Sequence, residues 1–404
     1  MPETQRKPKI GHYSQPAADN VVALVPSGAE RSKARVRDRR IDVFRGLALA
    51  MIFINHVPGT IFEMLTSRNF GFSDAAEIFV FISGTSAALA YADALSRPRL
   101  WPGLARIWGR AWTLYLVHVL ITVWVIAIAA ATMRLGGDAS LLTADNVQYL
   151  LTDMTGALTG LPLMTHQLGY VNILPMYTIL LLACPFLILA GRRFPRATAA
   201  GSIGLWIAAG LWGLDLPNFP SPGGWFLNPV AWQLLFVLGL LTGLALRQGK
   251  RLVPYHPVLI AASALMLLVS LVWVKWPAFA DAGNHFMSEL AALGLPPLVR
   301  DFDKTYLSVP RLLHALSLIY LISALPSVKR LCDSRWPEPL AILGRQALAV
   351  FALGTVLSFA ARSAKAFGED GFWLDSGVIT AGIALMWLFA LAIERGRAAA
   401  RAPA

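Results

Sequence analysis

Apolar residues along the chain gather into ten runs separated by polar connections rich in Pro and Gly. The runs lie at 41–63, 74–92, 104–133, 171–191, 197–214, 230–247, 257–275, 308–326, 339–360 and 376–394. A helix crossing the hydrocarbon core of a bilayer needs ~20 residues, and most of these runs come close to that length. The third run is long enough to tilt or to extend past the bilayer. Punctuation such as SRPRLWPG (96–103) and LPNFPSPGG (216–224) breaks the apolar pattern where connections belong. No fixed repeat period is visible. The pattern predicts an all-α polytopic integral membrane protein of about ten transmembrane helices.

Composition agrees and narrows the class. Of 404 residues, 56% are hydrophobic and 14% are charged, with a mean hydropathy of +0.57. Soluble domains carry about 25% charged residues, and one soluble core of this length could not hide so much apolar surface. A soluble enzyme, a disordered protein and a secreted disulfide scaffold are therefore excluded. Cys184 and Cys332 have no CxxC neighbour, so neither a disulfide framework nor a metal site is expected.

The net charge of +12 has two explanations, nucleic acid or topology. With the N-terminus placed in the cytoplasm, the near-membrane inner segments hold 22 Lys and Arg and the outer loops hold 8. That bias is the positive-inside signal, it places both termini in the cytoplasm, and it removes any need for nucleic acid. Residues 1–40 contain RSKARVRDRR (31–40) and no apolar signal-peptide core. They read as a disordered, basic cytoplasmic tail, 41–394 as the transmembrane domain, and 395–404 as a second cytoplasmic tail. The outer connections 134–170, 215–229 and 276–307 are long. Within the first, TADNVQYLLTDMTGALTG has the character of an interfacial amphipathic helix.

Ionisable residues inside spans are costly, which makes them candidates for function. The first run carries Asp42, Arg45 and His56. At 100° per residue, His56 lies roughly 20° from the face of Arg45, and Asp42 lies about 40° to the other side of His56. The three share one stripe, with Arg45 and His56 roughly 16 Å apart along the axis. An anchoring i,i+3 pair explains Asp42 and Arg45 as well as function does. His56 suits proton transfer near neutral pH. Asp74 and Glu77 open the second run as an i,i+3 pair. They form either a capping box or a carboxylate set facing His56, one of which orients its imidazole. Ser83, Gly84, Thr85 and Ser86 further along permit close helix packing.

Other polar residues gather at the outer ends of spans: His166, Gln167 and Asn172, with Pro175 expected to kink the helix that follows, and Arg311 with His314. Trp225, Asn228 and Trp232 (with Phe226 and Gln233) fit either an interfacial aromatic belt or a carbohydrate platform. These residues are the candidate acceptor contacts. At the inner ends, Arg45, Arg106, Arg110 and Arg345, together with Asp42, form a candidate site for the phosphates of a cytosolic donor such as coenzyme A. The positive-inside signal accounts for the same arginines equally well. GxGxxG, Walker A, HExxH and GxSxG are all missing from the sequence.

RDRRIDVFRGLALAMIFINHVPG (37–59) followed by FGFSDAAEIFVFISG (70–84) closely resembles the opening of the OpgC family. HQLGYVNILPMY (166–177), WFLNPVAWQLLFVLG (225–239), DK (303–304), RLLHALSL (311–318) and LGRQALAVF (343–351) follow in the same order. OpgC proteins are similar to the wider acyltransferase-3 group, whose RG-to-His pattern is matched here by Arg45, Gly46 and His56. The resemblance implies O-succinylation of osmoregulated periplasmic glucans at the bacterial inner membrane. It makes His56 the catalytic base and succinyl-CoA the donor substrate, with no permanently bound cofactor. The expected partners are acyl-CoA, periplasmic β-glucan and membrane lipids. Nothing in these strings separates succinyl from acetyl. The rivals are a transporter or flippase for a glycan or acyl donor, and a structural membrane subunit.

Overall fold

The structure, a computed structural model, describes residues 38–95, 100–136, 145–367 and 371–400. The expected N-terminal tail up to residue 37 lies outside them. Among the described residues every regular element is helical, and the only β contact is an isolated bridge between Pro217 and Gly224.

The longer helices are α1 (Arg39–Asn55), α2 (Ala75–Tyr91), α3 (Leu100–Arg134), α4 (Ile173–Arg193), α5 (Pro195–Trp212) and α6 (Pro229–Arg247). They continue with α7 (Pro257–Lys275), α8 (Pro277–Ala292), α9 (Val309–Ala324), α10 (Pro326–Asp333), α11 (Glu338–Arg345), α12 (Ala347–Lys365) and α13 (Phe372–Ala399). All ten apolar runs are thus helical. By length and composition α3, α4, α6, α7, α12 and α13 suffice to cross a membrane, and α9 with α10 makes a seventh if that bent pair is one span. α1 and α2 run only 17 residues each, so the expected total of about ten is not reached on this ground alone. With 35 residues, α3 measures about 52 Å at 1.5 Å per residue, longer than the ~30 Å hydrocarbon core.

Two expected features take another form. The run at 339–360 breaks at Gln346 (φ −107°, ψ 31°) into α11 and α12. Pro175 does not kink α4; it lies in the first turn, where its missing N–H is no loss, while Pro185 occupies the interior. At Leu325–Pro326 the chain turns by 70° between α9 and α10, in keeping with the extended bias of a residue before Pro. Arg40 and Arg251 each donate to the Ser323 carbonyl (2.8 and 2.9 Å), closing the C-terminal end of α9 with positive charge. The outer segment expected to be one amphipathic helix is, from residue 145 onward, two short helices, Tyr149–Thr152 and Met154–Gly160.

Helix packing around the site relies on small residues. α2 lies along α6, and α1 lies along α11 and α2. A methyl group on Gly84 would overlap the Phe236 carbonyl, and one on Gly344 would overlap the Asp42 carbonyl. Backbones this close admit no side chain, which is how small residues replace hydrophobic driving force between helices in lipid. Thr85 Oγ1 donates to the Gly239 carbonyl at 3.0 Å across the same contact. The core clusters on α2, α4 and α6, where Trp232, Phe236, Leu181 and Met176 are buried. By contrast α7 buries only Ser263 and Ser270, so its apolar surface faces outward.

Candidate active site

His56 follows the last residue of α1, and its N–H donates to Ile52 and Phe53 carbonyls at 3.1 Å, so helical register still places it. It opens onto a cavity of about 590 Å³ whose wall also holds Asp74, Tyr170, Asn172, Lys304 and Arg311. Phe72, Phe226 and Trp273 supply aromatic walls. The imidazole stacks on Tyr170, with ring centroids 4.0 Å apart and planes at 18°. Neither ring nitrogen hydrogen-bonds to the protein among the described residues.

Asp74 and Glu77 begin α2 as a capping box, as their spacing allowed. The Asp74 carboxylate accepts from Ala76 N–H (2.8 Å), and Glu77 Oε2 accepts from Asp74 N–H (3.0 Å). They do not hold His56. Their remaining lone pairs are taken by cations from the segment that starts α9. Arg311 donates to Glu77 Oε1 from Nε (2.9 Å) and Nη2 (2.5 Å), and reaches Asp74 at 3.4 Å. Lys304 Nζ meets Asp74 Oδ2 at 2.5 Å. Glu77 is fully buried. A buried carboxylate needs a paired and hydrogen-bonded partner, and Arg311 supplies one in forked geometry. The result is a locked square of two carboxylates and two cations, of which Asp74, Lys304 and Arg311 face the cavity.

His314, one turn beyond Arg311, accepts from Ser73: Nδ1 is 3.3 Å from the backbone N–H and 2.7 Å from Oγ. Its other nitrogen lies against Gly71, where any side chain would collide. His314 therefore fastens the segment before α2 to α9.

Of the eight residues expected to meet an acceptor, the cavity wall holds Asn172 and Arg311. The other six lie outside that wall. Asn228 is the N-cap of α6, accepting from Val230 N–H (2.9 Å) and donating to Leu214 O (2.7 Å). Trp232 is buried and donates to the Lys304 carbonyl at 2.9 Å, so it positions the Lys304 loop. Trp225 is buried and donates to Pro217 O (3.3 Å); its neighbour Phe226 faces the cavity instead. Gln167 donates to Met164 O (3.0 Å). His166 is buried edge-on to Tyr149, its ring nitrogens have no hydrogen-bond partner among the described residues, and burial pushes its pKa below the usual histidine range.

At the other end of α1, Asp42 and Arg45 form the i,i+3 pair at 4.0 Å. Arg45 also reaches Ser86 on α2 and the Gly344 carbonyl (3.4 Å). Arg106 lies 5.8 Å from the Tyr91 ring centroid. Arg345 differs from these. It is paired with Glu338 (2.7 Å) and Glu394 (2.9 Å), and Glu338 is shared with Arg39. Arg345, expected as a donor contact, thus sits at a helix junction between α1, α11 and α13 with two acidic partners.

Sequence reasoning missed Lys304 and Tyr170 as wall residues, and missed the buried pair of Arg362 with Asp145 (2.6 Å). Burial raises the Asp145 pKa and Arg362 opposes that rise. Lys304 and Tyr170 both stand inside strings already singled out, DK and HQLGYVN, where attention fell on neighbouring residues.

An all-helical protein with several helices able to cross a membrane, and a cavity lined by His56, the cations Arg68, Lys304 and Arg311, and aromatic rings, has the makings of a membrane-embedded enzyme. The chain belongs to the OpgC family: the family model of the OpgC protein matches residues 37–398. Among curated proteins no relative matches. Membership assigns the chain to a bacterial membrane and to the modification of osmoregulated periplasmic glucans by an acyltransferase-type enzyme.

Proposed function

We propose that the protein transfers a succinyl or other acyl group from cytosolic acyl-CoA to a hydroxyl of periplasmic glucan in the bacterial inner membrane, with His56 as general base. The observation that carries this reading is an imidazole with no hydrogen-bond partner among the described residues, facing a cavity of about 590 Å³ walled by charged and aromatic side chains. A free nitrogen is what a base needs in order to take a hydroxyl proton, and aromatic faces suit sugar rings. In the step itself, His56 takes the proton of the hydroxyl, whose oxygen attacks the thioester carbon. The C–S bond breaks, and the thiolate leaves to be protonated as coenzyme A. Arg45, Arg106 and Arg110 are candidate donor contacts; Arg345, paired with Glu338 and Glu394, and Asp42 complete that candidate set.

The proposed orientation keeps both termini in the cytoplasm, with α1, α2 and α5 also crossing the membrane. It puts the His56 end of α1 on the periplasmic side and the Arg45 end on the cytoplasmic side. Asp74 and Glu77 act by fixing Lys304 and Arg311 on the cavity wall. The test is an assay of purified protein with succinyl-CoA and periplasmic glucan, reading glucan mass. A gain of succinyl groups is expected from wild type and not from a folded His56→Ala variant. Wild-type activity in that variant would overturn the assignment of the base, and an unchanged glucan mass with wild type would leave the transporter reading standing.

A further inference from the structure

We infer that Tyr170 is the positioning residue for His56, and that Arg362 and Asp145 set Tyr170 in place. The inference rests on the reading of His56 as the base. A general base normally has its second nitrogen tied to a carboxylate or carbonyl, which fixes the ring plane. His56 has no such tie among the described residues, and Asp74 and Glu77 are committed to Lys304, Arg311 and the start of α2. What remains is the face of the ring, and there Tyr170 lies nearly parallel at 4.0 Å. A stacked pair restricts rotation about the last side-chain torsion of a histidine, which is otherwise broad.

Tyr170 is itself held from several sides. It sits in the short 3₁₀ turn Gly169–Asn172 that precedes α4. Gly169 has φ +48°, and its N–H donates to the Asp145 carbonyl at 3.0 Å. A side chain at 169 would collide with the Asp145 carboxylate, so the turn demands glycine on both counts. The same carboxylate meets Arg362 on α12 at 2.6 Å. Arg362 in turn lies 5.8 Å from the Tyr170 ring centroid, within range of a cation–π contact. Asp145 thus fixes both the backbone under Tyr170 and the cation beside its ring. The Tyr170 hydroxyl has no protein hydrogen bond among the described residues, so the ring does the positioning and the hydroxyl does not.

The test compares Tyr170→Leu with Tyr170→Phe in the full-length detergent-solubilised protein, measuring kcat, acceptor KM and melting temperature. Tyr170→Leu keeps an apolar filler but removes the stack. Its kcat is expected to fall about 10- to 100-fold, the cost of a misplaced reacting group, with acceptor KM and melting temperature close to wild type. Tyr170→Phe is expected to restore kcat to within about threefold of wild type, since the aromatic face returns. If Tyr170→Leu does not fold, Tyr170→Met carries the same expectation. A wild-type kcat in Tyr170→Leu, or a loss in Tyr170→Phe as deep as in Tyr170→Leu, would overturn the inference. Failure of the underlying reading is separate, because it appears as full activity in His56→Ala whatever Tyr170 does.

Discussion

The two ends of α1 carry the same kinds of side chain and use them differently. At the Arg45 end, Arg39, Arg345, Glu338 and Glu394 bind one another where α1, α11 and α13 meet, and Gly46 and Gly344 bring two backbones together. Arg106 and Arg110, on α3, are exposed. At the His56 end, ion pairs are just as numerous, but they form the wall of a cavity, and one imidazole among them faces open space. An ionisable residue in a span is thus informative only with its partner in view. Arg345 and Arg311 look alike in sequence, yet one closes a joint and the other lines a chamber.

The contrast can be broken most sharply at its two arginines. Arg311→Ala leaves the fully buried Glu77 without its cation. Stranding a buried charge costs about 3–5 kcal/mol, and thermal unfolding in detergent should show a large loss. Arg345 is part-exposed with two partners of its own, and Arg345→Ala should cost about 1 kcal/mol or less. Equal losses would mean that the two ends are not built differently. Next in size is Gly344→Ala, which drives a methyl into the Asp42 carbonyl. Overpacking of this kind costs about 1–3 kcal/mol and should lower the melting temperature while leaving acceptor KM unchanged. A raised acceptor KM would connect the Arg45 end to the cavity.

Smaller still is Asn228→Ala, expected to cost about 1 kcal/mol through loss of the α6 cap. A carbohydrate contact at Asn228 would appear instead as a raised KM with unchanged stability. The smallest effect belongs to Asp215, in the loop between α5 and α6, whose pKa burial lifts to about 6 from an ordinary value of 3.8. A carboxylate with a raised native pKa favours folding in its protonated form, and that contribution is lost as pH rises through about 6. Asp215→Asn should therefore raise the melting temperature at pH 8 relative to wild type, with the advantage gone below about pH 4. A melting-temperature advantage that stayed constant across that range would contradict the shift.

The helices and the start of α2 were legible in sequence because their determinants are local. Apolar runs set the helices, and the spacing of Asp74 and Glu77 gave the capping box. The cavity wall was only partly legible. Arg311 and Glu77 are 234 residues apart, and Lys304 and Asp74 are 230 apart, so no periodicity joins them. Asn228, Trp225 and Trp232 read as ligand contacts because polar and aromatic residues near a span end suit a surface as well as a fold. In the structure they are buried, and Asn228 and Trp232 bond to the 213–228 and 301–308 segments, contacts that no local pattern announces. The acidic partners of Arg345 were not legible, because counting Lys and Arg near span ends takes no account of them, and Glu394 lies 49 residues away.

The central claim is that His56 drives acylation of the glucan. The most direct measurement is the mass spectrum of periplasmic glucans from cells lacking this protein, complemented either with wild type or with His56→Ala at equal membrane abundance. Loss of a positioned general base costs about 10²- to 10⁴-fold in rate, so wild type should restore acyl-substituted glucans and His56→Ala should leave them unsubstituted. Substituted glucans at wild-type level with His56→Ala would contradict the account.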